Sequence, residues 1–293
     1  MLVRPNSQVP TAVICNDAGA ANLILSWLKK WDGPLHAYME GPARVLWQRT
    51  FPERALCKDI NEALLGAKVL ISGTGWASCL EHEARKLATA HGIHNIAVLD
   101  HWVNYVSRFE RMGQQQLPDE LWVFDEDAER LAKSTFFHIP VKRQENLYVS
   151  EQLQKITAPP AEGMRILYVL EPVRNDWGRN VGGEFQALDY AIEHLPKIVN
   201  MDNVTLSLRP HPSELPEKYL AYPHQYSFIQ MDDSVDLATA ISRSNVVIGV
   251  ESFALTIALQ ANRPTYSSLP PWAPAIRLPQ KGIVQIQHIV NVP

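Results

Sequence analysis

The chain has 293 residues, of which 46% are apolar, and a formal net charge of −4, enough for one large domain or two of ordinary size with a substantial core. The mildly acidic balance, with no long basic run, excludes an extended nucleic-acid surface, and nowhere do the roughly 18 consecutive apolar residues of a membrane span occur. Three cysteines, Cys15, Cys57 and Cys79, are odd in number and lack C-x-x-C spacing, which argues for reduced core thiols over a disulfide framework or a zinc knuckle.

In chain order, TAVICND (Thr11–Asp17) predicts a buried strand, AGA a tight turn and ANLILSWLKKW (Ala21–Trp31) a helix. PLHAYME, ARVLWQRTF, RALCKDI and NEALLGA then read as strand, helix, strand and short helix. KVLISGT (Lys68–Thr74) is a strand, SCLEHEARKLATAHG (Ser78–Gly92) a strongly periodic helix stopped by Gly92, and IAVLDHW and ELWVFDE are further strands. The polar segment Pro140–Gly163, with Pro159, Pro160 and Gly163, reads as an interdomain linker with the boundary near 160. Alternation resumes with the strand MRILYVLEP, the loop VRNDWGRNVGG, the helix EFQALDYAIEHLPKIV and the strand VTLSLRP. A short helix near 216–222, then YSFIQMD, VDLATAISRS, NVVIGV, SFALTIALQ and PTYSS, complete the series. The expected fold class is α/β: two Rossmann-like domains, 1–160 and 161–293, facing a cleft.

The second domain carries its most telling residues where strands stop. VTLSLRPHPSE (Val204–Glu214) ends in a stiff turn with a permanent cation, Arg209, and a titratable ring, His211, a pairing suited to phosphate or carboxylate. IGVESF places Gly249, Glu251, Ser252 and Phe253 at a strand-to-helix junction, where free amides and Ser252 can hold an anion and Glu251 can accept from sugar hydroxyls or orient Arg209; the alternative reading of Ser252 is an ordinary helix cap. The loop EPVRNDWGRNVGG adds Glu171, Arg174 and Arg179. It is neither a G-x-G-x-x-G nor a G-K-[ST] loop, which speaks against dehydrogenase and P-loop readings.

In the first domain, CNDAGAAN sets Asp17 at a strand end with Gly19 and Asn22 beside it. Asp17 either caps the next helix or takes a proton from an acceptor hydroxyl. SGTGW contributes Gly73, Thr74 and Trp76 to a second strand-end turn, and DHWVNY offers Asp100 with His101 as an alternative acid and base pair. No H-E-x-x-H occurs, Asp232 and Asp233 diverge if extended, and FDEDAER reads as an acidic helix start. No metal and no cofactor is expected.

R-P-H-P after a strand, then G-x-E-S and a helix leading to A-N-R-P, resembles the donor-binding half of GT-B glycosyltransferases. The likeness is greatest to the bacterial families with an HP motif: sialyltransferases and polysialyltransferases, capsule Kdo transferases and polyol-phosphate polymerases. The resemblance implies that His211 contacts the phosphate of a cytidine nucleotide and that Ser252 holds the same group, although those families often show paired Ser or Thr where this chain has Glu251 and Ser252. It implies a nucleotide-sugar donor, a cell-surface glycan or small-molecule acceptor, and no nucleic-acid partner. MLVRPNSQVP has no apolar run of signal-peptide length, so a cytoplasmic location is expected, with peripheral membrane contact left open. An epimerase or hydrolase of the same fold, and a noncatalytic sugar or nucleotide binder, are the competing readings.

Overall fold

The computed structural model describes residues 8–75, 78–173 and 175–290. The chain divides into two compact units, Met1–Tyr148 and Val149–Pro293. The first contains β1 (Thr11–Cys15), α1 (Ala18–Leu28), β2 (Leu35–Met39), α2 (Gly41–Thr50), α3 (Ile60–Leu64), β3 (Val69–Ser72), α4 (Leu80–Ala90) and β4 (His94–Val98). A small hairpin of β5 (Glu110–Arg111) and β6 (Gln114–Gln115) follows, then β7 (Glu120–Val123), α5 (Glu126–Thr135) and β8 (Val141–Arg143). α6 (Leu147–Lys155) spans the division.

The second unit runs through β9 (Met164–Val169), α7 (Gly183–Ile198), β10 (Val204–Arg209), α8 (Ala221–Gln225), β11 (Ile229–Met231) and α9 (Leu237–Ser242). β12 (Val246–Gly249), α10 (Phe253–Gln260), β13 (Thr265–Ser267), β14 (Val284–Gln285) and α11 (Ile286–Val290) complete it.

Each unit is built on a six-stranded parallel sheet, ordered β2-β1-β3-β4-β7-β8 in the first and β11-β10-β9-β12-β13-β14 in the second. A strand covered on both faces has no use for alternation, which is why TAVIC is buried at every position. Carboxylates start the helices: Asp17, Asp59, Asp125 and Asp236 each accept an amide hydrogen bond from the first turn of α1, α3, α5 and α9. Gly92, at φ +66°, lets the chain leave α4. Among the described residues no helix is long and apolar enough to cross a membrane.

Two expectations fail. RALCKDI is not a strand: only the Cys57 amide reaches β2, donating to Ala37 O at 2.8 Å, and the chain turns at Arg54, whose carbonyl accepts from Trp47 Nε1. The polar stretch 140–163 is no free linker. It supplies β8, an edge strand on which Lys142 pairs with Glu120 at 2.7 Å, and then α6. Beyond α6 it is tied to the second unit, where Arg263 Nη2 donates to Thr157 O at 2.5 Å and Asn245 Nδ2 to Pro160 O at 2.8 Å. An edge strand with charged residues carries no apolar run, so composition alone hid it.

Candidate functional site

Strand order creates a crevice wherever successive connections leave a parallel sheet on opposite sides, and each sheet has one such switch point at the carboxyl ends of its strands. In the first unit it lies between β1 and β3, which places Asn16–Asp17 beside Gly73–Gly75. A Cβ on Gly19 would stand 2.0 Å from Asp100 Oδ2 and 3.1 Å from Asp17 Oδ2, so the two carboxylates converge on that bare backbone. Asp100 is held by Arg108, whose Nη1 donates to Oδ1 at 2.6 Å and to Thr74 Oγ1 at 3.1 Å. Burial, then the Asp100 charge, push the Asp17 carboxyl from 3.8 up to about 7, against the pull of Arg108. The cap and the titrating group are one side chain, since Asp17 Oδ2 accepts from the Gly19 amide at 3.1 Å.

Behind this pair stands Glu81, from the first turn of α4 and fully buried. Its Oε1 accepts from the Asn16 amide at 2.8 Å, while Oε2 has no hydrogen-bond partner among the described residues. Burial raises its pKa. Gly73 and Gly75 admit protein at close range: a Cβ on Gly73 would meet Cys15 Sγ at 2.7 Å, and one on Gly75 would meet Asp17 Cβ at 2.6 Å. Thr74 is fully buried and donates to Val98 O at 2.9 Å, so it braces the strand end. His101 Nδ1 accepts from the Trp102 amide at 3.0 Å, and the carboxylate expected to pair with it, Asp100, is bound to Arg108. Asn22 lies half-buried on α1.

In the second unit the switch point falls between β9 and β12, which brings Glu171 and Glu251 together. Glu171 Oε1 accepts from the Glu251 amide at 2.7 Å, and burial raises its carboxyl from 4.5 to about 8. Glu251 does not orient Arg209. Its carboxylate binds Arg277, from the Nε at 3.0 Å and Nη2 at 2.7 Å, and also takes the Arg277 amide. Arg209 turns instead to Asp232 and to Ser234 O at the end of β11. Ser252 caps α10, accepting from the Ala254 amide at 3.2 Å, and Phe253 opens that helix.

His211 Nδ1 accepts from the Ser213 amide at 3.2 Å and lies 2.7 Å from Ser213 Oγ. The bond from the amide assigns the proton of the neutral ring to Nε2, and burial lowers the pKa of the ring. Arg179 stacks 3.7 Å over the Trp272 ring. Arg174 and Trp76 lie outside the described residues. Sequence reasoning missed Glu81 and Arg277, each of which acts through a partner in a different loop or element. Among the described residues no three His, Cys, Asp or Glu side chains stand together as a metal site.

No family model and no curated protein matches the sequence. Among solved structures, a Listeria monocytogenes protein assigned as a UDP-N-acetylglucosamine 2-epimerase aligns at a TM-score of 0.57 and 13% identity, over 88% of this chain and 79% of the other. The fold is GT-B-like. Lower scores relate the chain to the glycosyltransferase of kitacinnamycin (TM-score 0.49, 13% identity, 90% of this chain and 80% of that one) and to the wall teichoic acid polymerase TagF (0.47, 13%, 89% and 71%). At these identities the likeness is one of fold, and function has to be argued from the residues at the two switch points. Those residues make this GT-B-like chain acidic where its strands end, with each carboxylate's charge either suppressed by burial or matched by an arginine.

Proposed function

We propose that the protein is a glycosyltransferase acting on a nucleotide-sugar donor, with neither metal nor cofactor. The second unit takes the donor and the first provides the acceptor site and the base. The observation that supports this most directly is the Asp17–Asp100 pair: Arg108 binds one carboxylate at 2.6 Å, and the other titrates near neutrality, where a general base works best. As the acceptor hydroxyl oxygen bonds to the anomeric carbon, its proton passes to Asp17, and the breaking bond leaves its electron pair on the phosphate oxygen. His211 Nε2–H donates to that oxygen. The HP motif favours a cytidine nucleotide and a cell-surface glycan acceptor, in the cytoplasm.

A thermal-shift panel of CMP, CDP, UDP, GDP and dTDP tests the donor class, since a ligand that binds the native state raises its stability. A selective cytidine response is expected. A selective UDP response would remove the HP-family assignment while leaving a nucleotide-sugar enzyme in place. With the donor identified, His211→Ala is expected to lower kcat by about two orders of magnitude with the fold intact. An unchanged kcat would remove the leaving-group role.

The likeness to the Listeria protein supports a second reading, epimerisation of the donor sugar, in which the two first-unit carboxylates exchange a ring proton. Incubating the donor in D2O without acceptor separates the two. Deuterium in recovered donor argues for epimerisation, whereas transfer to an added glycan without exchange argues for the glycosyltransferase.

A further inference from the structure

Among the described residues, three cations near the strand ends of the second unit are each held by a carboxylate. Lys218 lies between Glu184 and Glu214, 2.5 Å from both, with its side chain 29% exposed. Arg209 is 24% exposed and bound to an Asp232 that is itself 6% exposed. Arg277 is 51% exposed, while its partner Glu251 is 10% exposed. Position separates them further: Asp232 follows the edge strand β11, two strands away from the β9–β12 crevice, whereas Glu251 lies just past the end of β12 at that crevice.

We infer that Arg277 is the anion-binding residue of the second unit, presented by Glu251, and that the phosphates of a nucleoside diphosphate dock on it. The inference rests on the nucleotide-sugar reading above for the ligand's class, but the anion site is argued from geometry. Glu251 grips the guanidinium along its Nε and Nη2 edge and also holds the Arg277 backbone amide, so plane and position are fixed before any ligand arrives. A preorganised fork surrenders less rotamer freedom on binding than a mobile side chain does. Glu171, close enough for Arg277 to pull on its carboxyl, is largely uncharged at neutral pH, so it adds little to the repulsion of a phosphate beside the paired Arg277 and Glu251. Glu251 thus serves as the holder of a cation, a role that a shorter hydroxyl side chain in its place could not fill.

Titration calorimetry with inorganic pyrophosphate, UDP and CDP tests this at low and moderate salt. Arg277→Gln is expected to weaken pyrophosphate and the better nucleotide by tenfold or more, and Arg277→Lys to recover only part of the loss. Because Arg277→Gln strands a buried carboxylate, the double variant Glu251→Gln/Arg277→Gln is measured beside it and is expected to show the same loss with the charge balance restored. Arg243→Gln, which removes an exposed cation elsewhere on this unit, controls for bulk charge and is expected to stay within about threefold of the parent. Wild-type affinity in both Arg277 variants, or a larger loss in Arg209→Gln, would overturn the assignment while leaving the nucleotide reading intact. Pyrophosphate binding that depends on Arg277, without binding of any nucleotide, would support the anion site and sink the nucleotide reading. Failure of the parent protein to bind any of the three would overturn both.

Discussion

Asp17 accepts a hydrogen bond from the Gly19 amide while the Asp100 carboxylate reaches the same glycine from another loop. With its pKa near 7, the base form is scarce in acid. The rate under limiting substrate is therefore expected to rise about tenfold per pH unit up to neutrality and then level, and Asp17→Asn is expected to cost about 10²- to 10⁴-fold in kcat. A level rate between pH 5 and 8 would show that another group is the base.

The same shift has a stability consequence of defined sign. A carboxyl whose folded pKa stands above its unfolded value keeps its proton longer when folded, so stability falls as pH rises from about 3.8 to about 7. Asp17→Asn should flatten that part of a Tm-against-pH curve and melt a few degrees above the parent at pH 8. Gly19→Ala favours the helix by up to about 1 kcal/mol but drives a methyl into Asp100. Because Arg108 holds that carboxylate in place, a lower Tm together with at least tenfold lower activity is the expected pair of readings. Asp17 and Gly19 were visible in the sequence because a strand ending in a polar turn is a local pattern. Glu81 was not, since it meets the Asn16 amide across 65 residues of chain.

On α4, Glu81 and Arg85 are charged residues one turn apart, yet they are 0% and 1% exposed. Arg85 donates to Ser72 Oγ and to Gly73 O, and Glu81 braces the turn that carries Asp17. Periodicity located the helix but does not say which charged residues it buries, because a charged residue enters a core only when partners fixed by the tertiary fold receive it. Glu81→Gln can keep the amide bond and removes an ionisable group that burial disfavours, so a neutral to stabilising effect at pH 8 is expected. Glu81→Ala leaves the Asn16 amide unpaired and opens a void, which is expected to cost about 2 to 4 kcal/mol in urea unfolding. Equal stabilities for the two variants would show that the brace carries no energy. The strand-helix alternation that specified both sheets was legible because buried parallel strands are short apolar runs. β8 and the tail elements β14 and α11 were not, being an edge strand and two short pieces that gain their order from neighbours.

Across the whole molecule, Arg263 is a keystone of the second unit. It is 6% exposed and donates to the carbonyls of Ile241, Ser244, Ala261 and Thr157. The A-N-R-P stretch that contributed to the family resemblance thus includes a structural arginine. Arg263→Ala is expected to destabilise the protein by about 3 kcal/mol or more and to open 156–163 to protease, and Arg263→Lys, lacking the planar fork, should not restore it. Wild-type cleavage rates at that segment would show that it is held by other contacts.

β14 and α11 close the second unit from its far end: Ile286 is fully buried in the core formed by α7, β9 and β10, and Val290 packs against it. Synthesis delivers the chain at about 5 to 20 residues per second. The first unit can therefore complete its sheet while the second is still being made, but the second cannot seal its core until residues near 290 have left the ribosome. During that interval the part of the second unit's core that Ile286 covers is open. Ribosome-stalled chains ending near 280 should accordingly be captured by a trigger-factor-type chaperone, and chains stalled with 290 exposed should not.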